Sequence, residues 1–100
     1  MTAILVSFDR AKPPLFPLGE LFATEDIIEA VPHEEITAAL ARHASGDWGD
    51  VDVEDQVSNK RALETGGRLL SQYTSKSGTE FWILTEASCF ATTVSLPEEN

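Results

Sequence analysis

The order of segments in this sequence predicts an α+β fold: two or three short helices packed on one face of a small antiparallel sheet that ends in a three-stranded meander. Three observations carry that expectation. Apolar residues recur at helical spacing between His33 and Ala44, with Ile36, Ala39, Leu40 and His43 at i, i+3, i+4 and i+7. The last third of the chain is rich in β-branched and aromatic residues, in runs separated by turn signals. The length of 100 residues and the apolar content of 42% suit one hydrophobic core and leave little room for a second.

The elements follow in order. Ala3 to Phe8 reads as a short strand or a tail, and residues 1–15 as a segment preceding a single domain over 16–97. Pro13, Pro14 and Pro17 lack amide donors and exclude a central strand there. Leu18 to Ala23 reads as a short strand. Thr24 is a helix N-cap, followed by Glu25 and Asp26 at the positive end of the helix dipole, and the helix runs to about Ala30. Pro32 stops it and opens the next helix, His33 to Ala44. Ser45 to Asp50 is a glycine-punctuated loop. Asp52 caps a third helix, Val53 to Glu64, with an apolar stripe of Val53, Val57 and Leu63, and Gly66 or Gly67 supplies its left-handed end. Strands then cover Arg68–Ser75, Thr79–Ala87 and Cys89–Leu96, joined at Lys76-Ser77-Gly78 and Ala87-Ser88. In the middle strand Phe81 and Ile83 face one way, Trp82 and Leu84 the other. Residues 98–100 form an acidic tail.

Charge narrows the function classes. Seventeen acids against seven Lys and Arg give a net charge of −10, which repels phosphate backbones and anionic membrane surfaces. Direct binding to nucleic acid or membrane is therefore not expected, and a protein partner is. One cysteine, Cys89, precludes an internal disulfide and suits a reducing cytoplasm. Cys89 sits in a strand pattern, where a buried, inert thiol is expected. No run approaches the ~20 apolar residues of a membrane-spanning helix.

Catalytic and metal-binding patterns are not found. Asp47, Asp50, Asp52, Glu54 and Asp55 form the densest acidic cluster, but a calcium loop counted from Asp50 has Asp55 where glycine belongs and Arg61 where the bidentate Glu belongs. His33 and His43 are ten residues apart, which turns them ~80° from one another around a helix. No serine sits in a nucleophile elbow, and Gly66-Gly67 lacks the Lys-Ser/Thr pair of a phosphate loop. No catalytic residue, metal or cofactor is assigned. His43 is read as a core or helix-end residue and as the one ligand candidate. Near its helix C-terminus it would hydrogen-bond the Gly46-Asp47 loop, with the dipole favouring its protonated form. Asp47, Trp48, Asp50 and Trp82 are the partner-binding candidates. Trp48 either plugs the junction of two helices and the sheet or anchors a partner. Trp82 with Leu84 would form an apolar patch that a second copy could cover, giving a homodimer through the sheet face.

Several segments are similar to one family. They are Phe16-Pro17-Leu18-Gly19, the run Arg42 to Asp50, Arg68 to Tyr73, Trp82 to Ala87, and Thr92 to Glu99. Together they resemble the small plasmid-related proteins of bacterial mobile genetic elements, some of which carry a type I restriction subunit label. The resemblance spans about Phe16 to Glu99. It implies a genomic setting rather than an activity and carries over no catalytic residues. A methyltransferase subunit would need a cofactor-binding βα unit, which these elements cannot build. The function expected is a non-catalytic, acidic, protein-binding accessory of mobile elements, with counter-defence or DNA mimicry as its mechanism. The alternative is a small ligand-binding or enzymatic domain with its site at His43, Asp47 and Trp48.

Overall fold

The computed structural model describes residues 2–4 and 14–99. Among them lie strand β1 (Thr2–Ala3), strand β2 (Glu20–Ala23), helices α1 (Glu25–Ala30), α2 (His33–Ala44) and α3 (Val53–Thr65), and strands β3 (Leu69–Thr74), β4 (Glu80–Thr85) and β5 (Ala91–Ser95). The fold is α+β, as the sequence predicts, and the last three strands form the expected meander. The sheet order is β1-β2-β5-β4-β3. The sheet is mixed rather than wholly antiparallel, because β2 runs parallel to β5. That pairing places the first long strand beside the last one. The rest of Ala3 to Phe8 beyond Ile4 lies outside the described residues.

Local chemistry sets the element ends. The Thr24 hydroxyl accepts from the Ile27 amide at 3.2 Å and caps α1, and the Asp52 carboxylate accepts from the Asp55 amide at 2.8 Å and caps α3. Gly66 closes α3 with φ +79. Strand β2 starts at Glu20, two residues later than the alternation suggests. Gly19 is left-handed there (φ +66), and a Cβ on it would lie 2.4 Å from the Phe90 carbonyl. The turn expected at Ala87-Ser88 is a 3-10 turn over Ala87–Cys89, so Cys89 is not in a strand. It has φ 55 and is only half-buried. The acidic end also has structure. Pro97–Glu99 forms a 3-10 turn, and Glu99 Oε1 accepts from the Thr24 hydroxyl and the Leu96 amide, each at 2.8 Å.

Helices α1 and α2 cover one face of the sheet. Ile27, Val31, Ile36, Ala39 and Leu40 meet Ala23, Tyr73, Phe81, Ile83 and Val94 in the main core. Phe81 and Ile83 therefore point to the helices, as alternation requires. On the other face Leu84 is buried and Trp82 is half-buried, so the expected Trp82–Leu84 patch is reduced to Trp82. A second cluster of Phe16, Leu18, Ala44, Ala62 and Leu69 joins α3 to the end of α2.

Helix α3 departs from its expected burial. Val53, Val57 and Leu63 are 73%, 57% and 40% exposed, whereas Asn59 and Ala62 are buried. The helix turns its polar Asn59 inward because β3 is the edge of the sheet and needs partners. Asn59 donates to the Leu70 carbonyl at 2.7 Å and accepts from the Leu70 amide at 3.0 Å. The next outward pair is met by the α2–α3 loop. The Gln72 amide donates to the Trp48 carbonyl at 3.1 Å, and the Asp50 amide donates to the Gln72 carbonyl at 2.7 Å. The edge is thus closed at 70 and 72 by a side chain and a loop.

Candidate functional site

The residues singled out in the sequence gather around the α2–α3 loop, in three different roles. His43 is fully buried. Its Nδ1 lies 2.5 Å from Ser71 Oγ and its Nε2 lies 2.9 Å from Thr85 Oγ1. Thr85 Oγ1 is 2.7 Å from Thr92 Oγ1, and the Thr92 hydroxyl donates to the Leu18 carbonyl at 2.6 Å. The donor directions follow from proton counting. Leu18 O can only accept, so the single Thr92 proton goes there, and Thr85 must donate to Thr92. Thr85 then has no proton left for the ring, so Nε2 carries the hydrogen, and in the neutral ring Nδ1 accepts from Ser71. The imidazole is neutral, with its tautomer set by the chain. Burial pushes its pKa down to about 3. This corrects the expectation of a protonated ring bonded to the Gly46-Asp47 loop.

Asp47 and Arg42 shape the loop. Arg42 Nε and Nη2 donate to the two Asp47 carboxylate oxygens at 2.8 and 3.3 Å, and the Gly49 amide donates to Asp47 Oδ1 at 3.2 Å. The Arg42 hydrogen bonds hold the Asp47 carboxyl below the ordinary aspartate range and raise the Arg42 pKa. The Arg42 guanidinium stacks 4.7 Å over the Tyr73 ring, whose hydroxyl donates to the Asp47 carbonyl at 2.5 Å. Burial pushes the Tyr73 pKa up to about 12. The Asp47 charge is therefore used inside the loop. Asp50 is exposed, and its carboxylate accepts from Thr74 Oγ1 at 3.4 Å.

Trp48 packs at the junction as one of its two readings expects, and it also lines an open groove. One face stacks on Phe16 at 6.2 Å, and its ring meets His43 edge-on at 5.6 Å, which roofs the buried histidine. Its outer side lines a groove of about 490 Å³ with Leu15, Val53, Val57 and Leu63, together with Ser45, Gly46, Gln56 and Lys60. Of the six exposed large apolar residues described, four line this groove. His43 and Asp47 do not line it, so the imidazole, carboxylate and indole do not converge on one opening. Trp82 lines a separate, mixed hollow with Arg68, Leu70 and Leu84. Among the described residues no group of three His, Cys, Asp or Glu is arranged to hold a metal.

Reasoning from sequence missed two parts of this arrangement. The inward Ser71 and Thr85 partner His43 and Thr92 partners Thr85, and their signal was three small hydroxyl residues at apolar positions of neighbouring strands. The groove was missed because three of its apolar residues, Val53, Val57 and Leu63, were read only as a helix stripe. No helix among the described residues is long and apolar enough to cross a membrane. Comparison with known protein families, curated proteins and solved structures gives no match.

Proposed function

We propose that this protein is a non-catalytic, protein-binding module whose contact surface is the groove between the α2–α3 loop and α3. One observation carries the reading: Leu15, Val53, Val57 and Leu63 stand exposed together beside Trp48. Exposed apolar side chains scattered singly are ordinary, but a contiguous set next to an anchored indole is what partner surfaces present. The braced loop supports the same reading, because a surface fixed before binding loses less entropy on docking.

In this reading the protein works in the bacterial cytoplasm, in keeping with its single cysteine. The mobile-element setting implied by the resemblance makes a host-defence or DNA-processing protein the first candidate partner. Seven acids cap or open helices (Glu25, Asp26, Glu34, Glu35, Asp52, Glu54 and Asp55), so local helix chemistry accounts for them. Apolar docking is for that reason preferred here to mimicry of DNA.

The test compares Val57→Glu with Ile28→Glu, both at exposed positions. Affinity capture from bacterial lysate should retain a protein on the wild type and on Ile28→Glu and lose it on Val57→Glu. Equal retention by all three would refute the groove as the contact surface.

A further inference from the structure

Apart from the groove beside Trp48, and independently of it, we infer that the hollow around Trp82 binds a small amphoteric molecule: a short peptide with free amino and carboxyl ends and an apolar side chain. The hollow has a volume of about 520 Å³, in the range of small-molecule sites, and lies where α3 meets β3 and β4. Its apolar lining is Leu70, Leu84 and the half-buried Trp82, with Leu70 directly opposite Leu84 across the two strands. Asn59 fixes the position of α3 against this lining, because both of its hydrogen bonds go to the Leu70 backbone.

Two opposite charges line the same hollow without pairing with each other. Arg68 is exposed, and its ion pair among the described residues is with Glu86, Nε to Oε2, at 4.0 Å, beyond hydrogen-bond length. Asp55 gives its amide to the Asp52 cap, and its carboxylate has no ion-pair partner among the described residues. Register places the two at opposite ends. Asn59 is level with Leu70, and Asp50, just ahead of α3, is level with Gln72, so α3 and β3 run antiparallel. Asp55 is one turn before Asn59, ~6 Å along α3. Arg68 is two residues before Leu70, ~7 Å the other way. Their backbones thus stand ~13 Å apart along the hollow, and the reach of the two side chains leaves ~7 Å between the charges, the length of an extended dipeptide. A carboxylate at one end takes the forked donors of Arg68, an ammonium at the other meets Asp55, and an apolar side chain between them lies on the Trp82 indole. A ligand with a single charge leaves one end of the hollow without its partner.

The experiment is an NMR titration of the whole protein with the dipeptide leucyl-leucine, its N-acetyl form and its C-terminal amide. The free dipeptide should give saturable shifts of the Trp82 indole N–H and the Leu84 methyl signals and leave the Trp48 indole unmoved. Each blocked form should bind about tenfold more weakly, because each lacks one charged hydrogen-bonding end. In Asp55→Asn the free and N-acetyl forms should bind alike, and in Arg68→Gln the free form and the amide should bind alike. A blocked form that binds the wild type as well as the free dipeptide does would overturn the inference. So would shifts confined to Trp48, or no saturable shift at Trp82.

Discussion

At the scale of single residues, the loop between α2 and α3 is shaped by contacts that leave no space for larger side chains. Gly49 has φ +71, and a Cβ there would lie 2.1 Å from the Gln72 carbonyl oxygen and 2.7 Å from the Tyr73 ring. Gly49→Ala should destabilise the fold by about 2 kcal/mol or more, through a strained backbone and a displaced strand edge, as read by urea unfolding. A variant as stable as the wild type would show that the loop moves freely off β3. Trp48 was legible as a residue of consequence because it stands between two Gly-Asp pairs. Its packing was not, since Phe16 and His43 approach it only in the folded chain. The reading of His43 as a core residue on the apolar face of its helix was correct. Its partners Ser71 and Thr85, 28 and 42 residues away, could not be read from helical periodicity.

At the scale of elements, helix boundaries were legible because caps are local chemistry. The Thr24 and Asp52 hydrogen bonds each span three residues. Asp52→Ala should cost about 1 kcal/mol, with the loss confined to α3, and amide exchange in the first turn of α3 would report it. The burial of α3 was not legible in the same way. Periodicity identifies the apolar stripe but not the surface it meets, and here the buried side is chosen by the hydrogen-bonding needs of β3. Asn59→Leu keeps the size and removes both bonds to Leu70. It should cost about 2 kcal/mol, because the part-buried Leu70 amide and carbonyl lose their partners. It should also quicken exchange of the Leu70 amide and promote self-association along the edge. A fully stable monomer would show that Asn59 is not what closes it. The parallel β2–β5 pair escaped the sequence because long-range pairing leaves no mark in local alternation.

At the scale of the whole molecule, acid should loosen the fold, and the sign follows from His43. Its ring has a pKa of about 3 in the folded state against an ordinary value of 6.5. Between those values the unfolded chain holds a proton that the folded one does not, so stability falls as pH drops from ~6.5 towards ~3 and is fully present above that window. The ceiling is roughly 4–5 kcal/mol. Loss of the Arg42-paired Asp47 charge acts in the same direction. Neutralisation of the −10 net charge acts against both by relieving repulsion. His43→Gln isolates the histidine: it should be weaker at neutral pH yet have a flatter urea midpoint between pH 6.5 and 4. An unchanged slope would assign the acid sensitivity to carboxylates. The run of donors from Ser71 through His43, Thr85 and Thr92 to Leu18 has a further consequence. It stitches the segment ahead of β2 to α2 and to three strands, across sequence separations of up to 74 residues. Residues 16–23 should therefore not peel away while the meander persists. Their amide protons should exchange at the rate of the central strands, through global opening alone, and a protease should find the chain either whole or wholly unfolded.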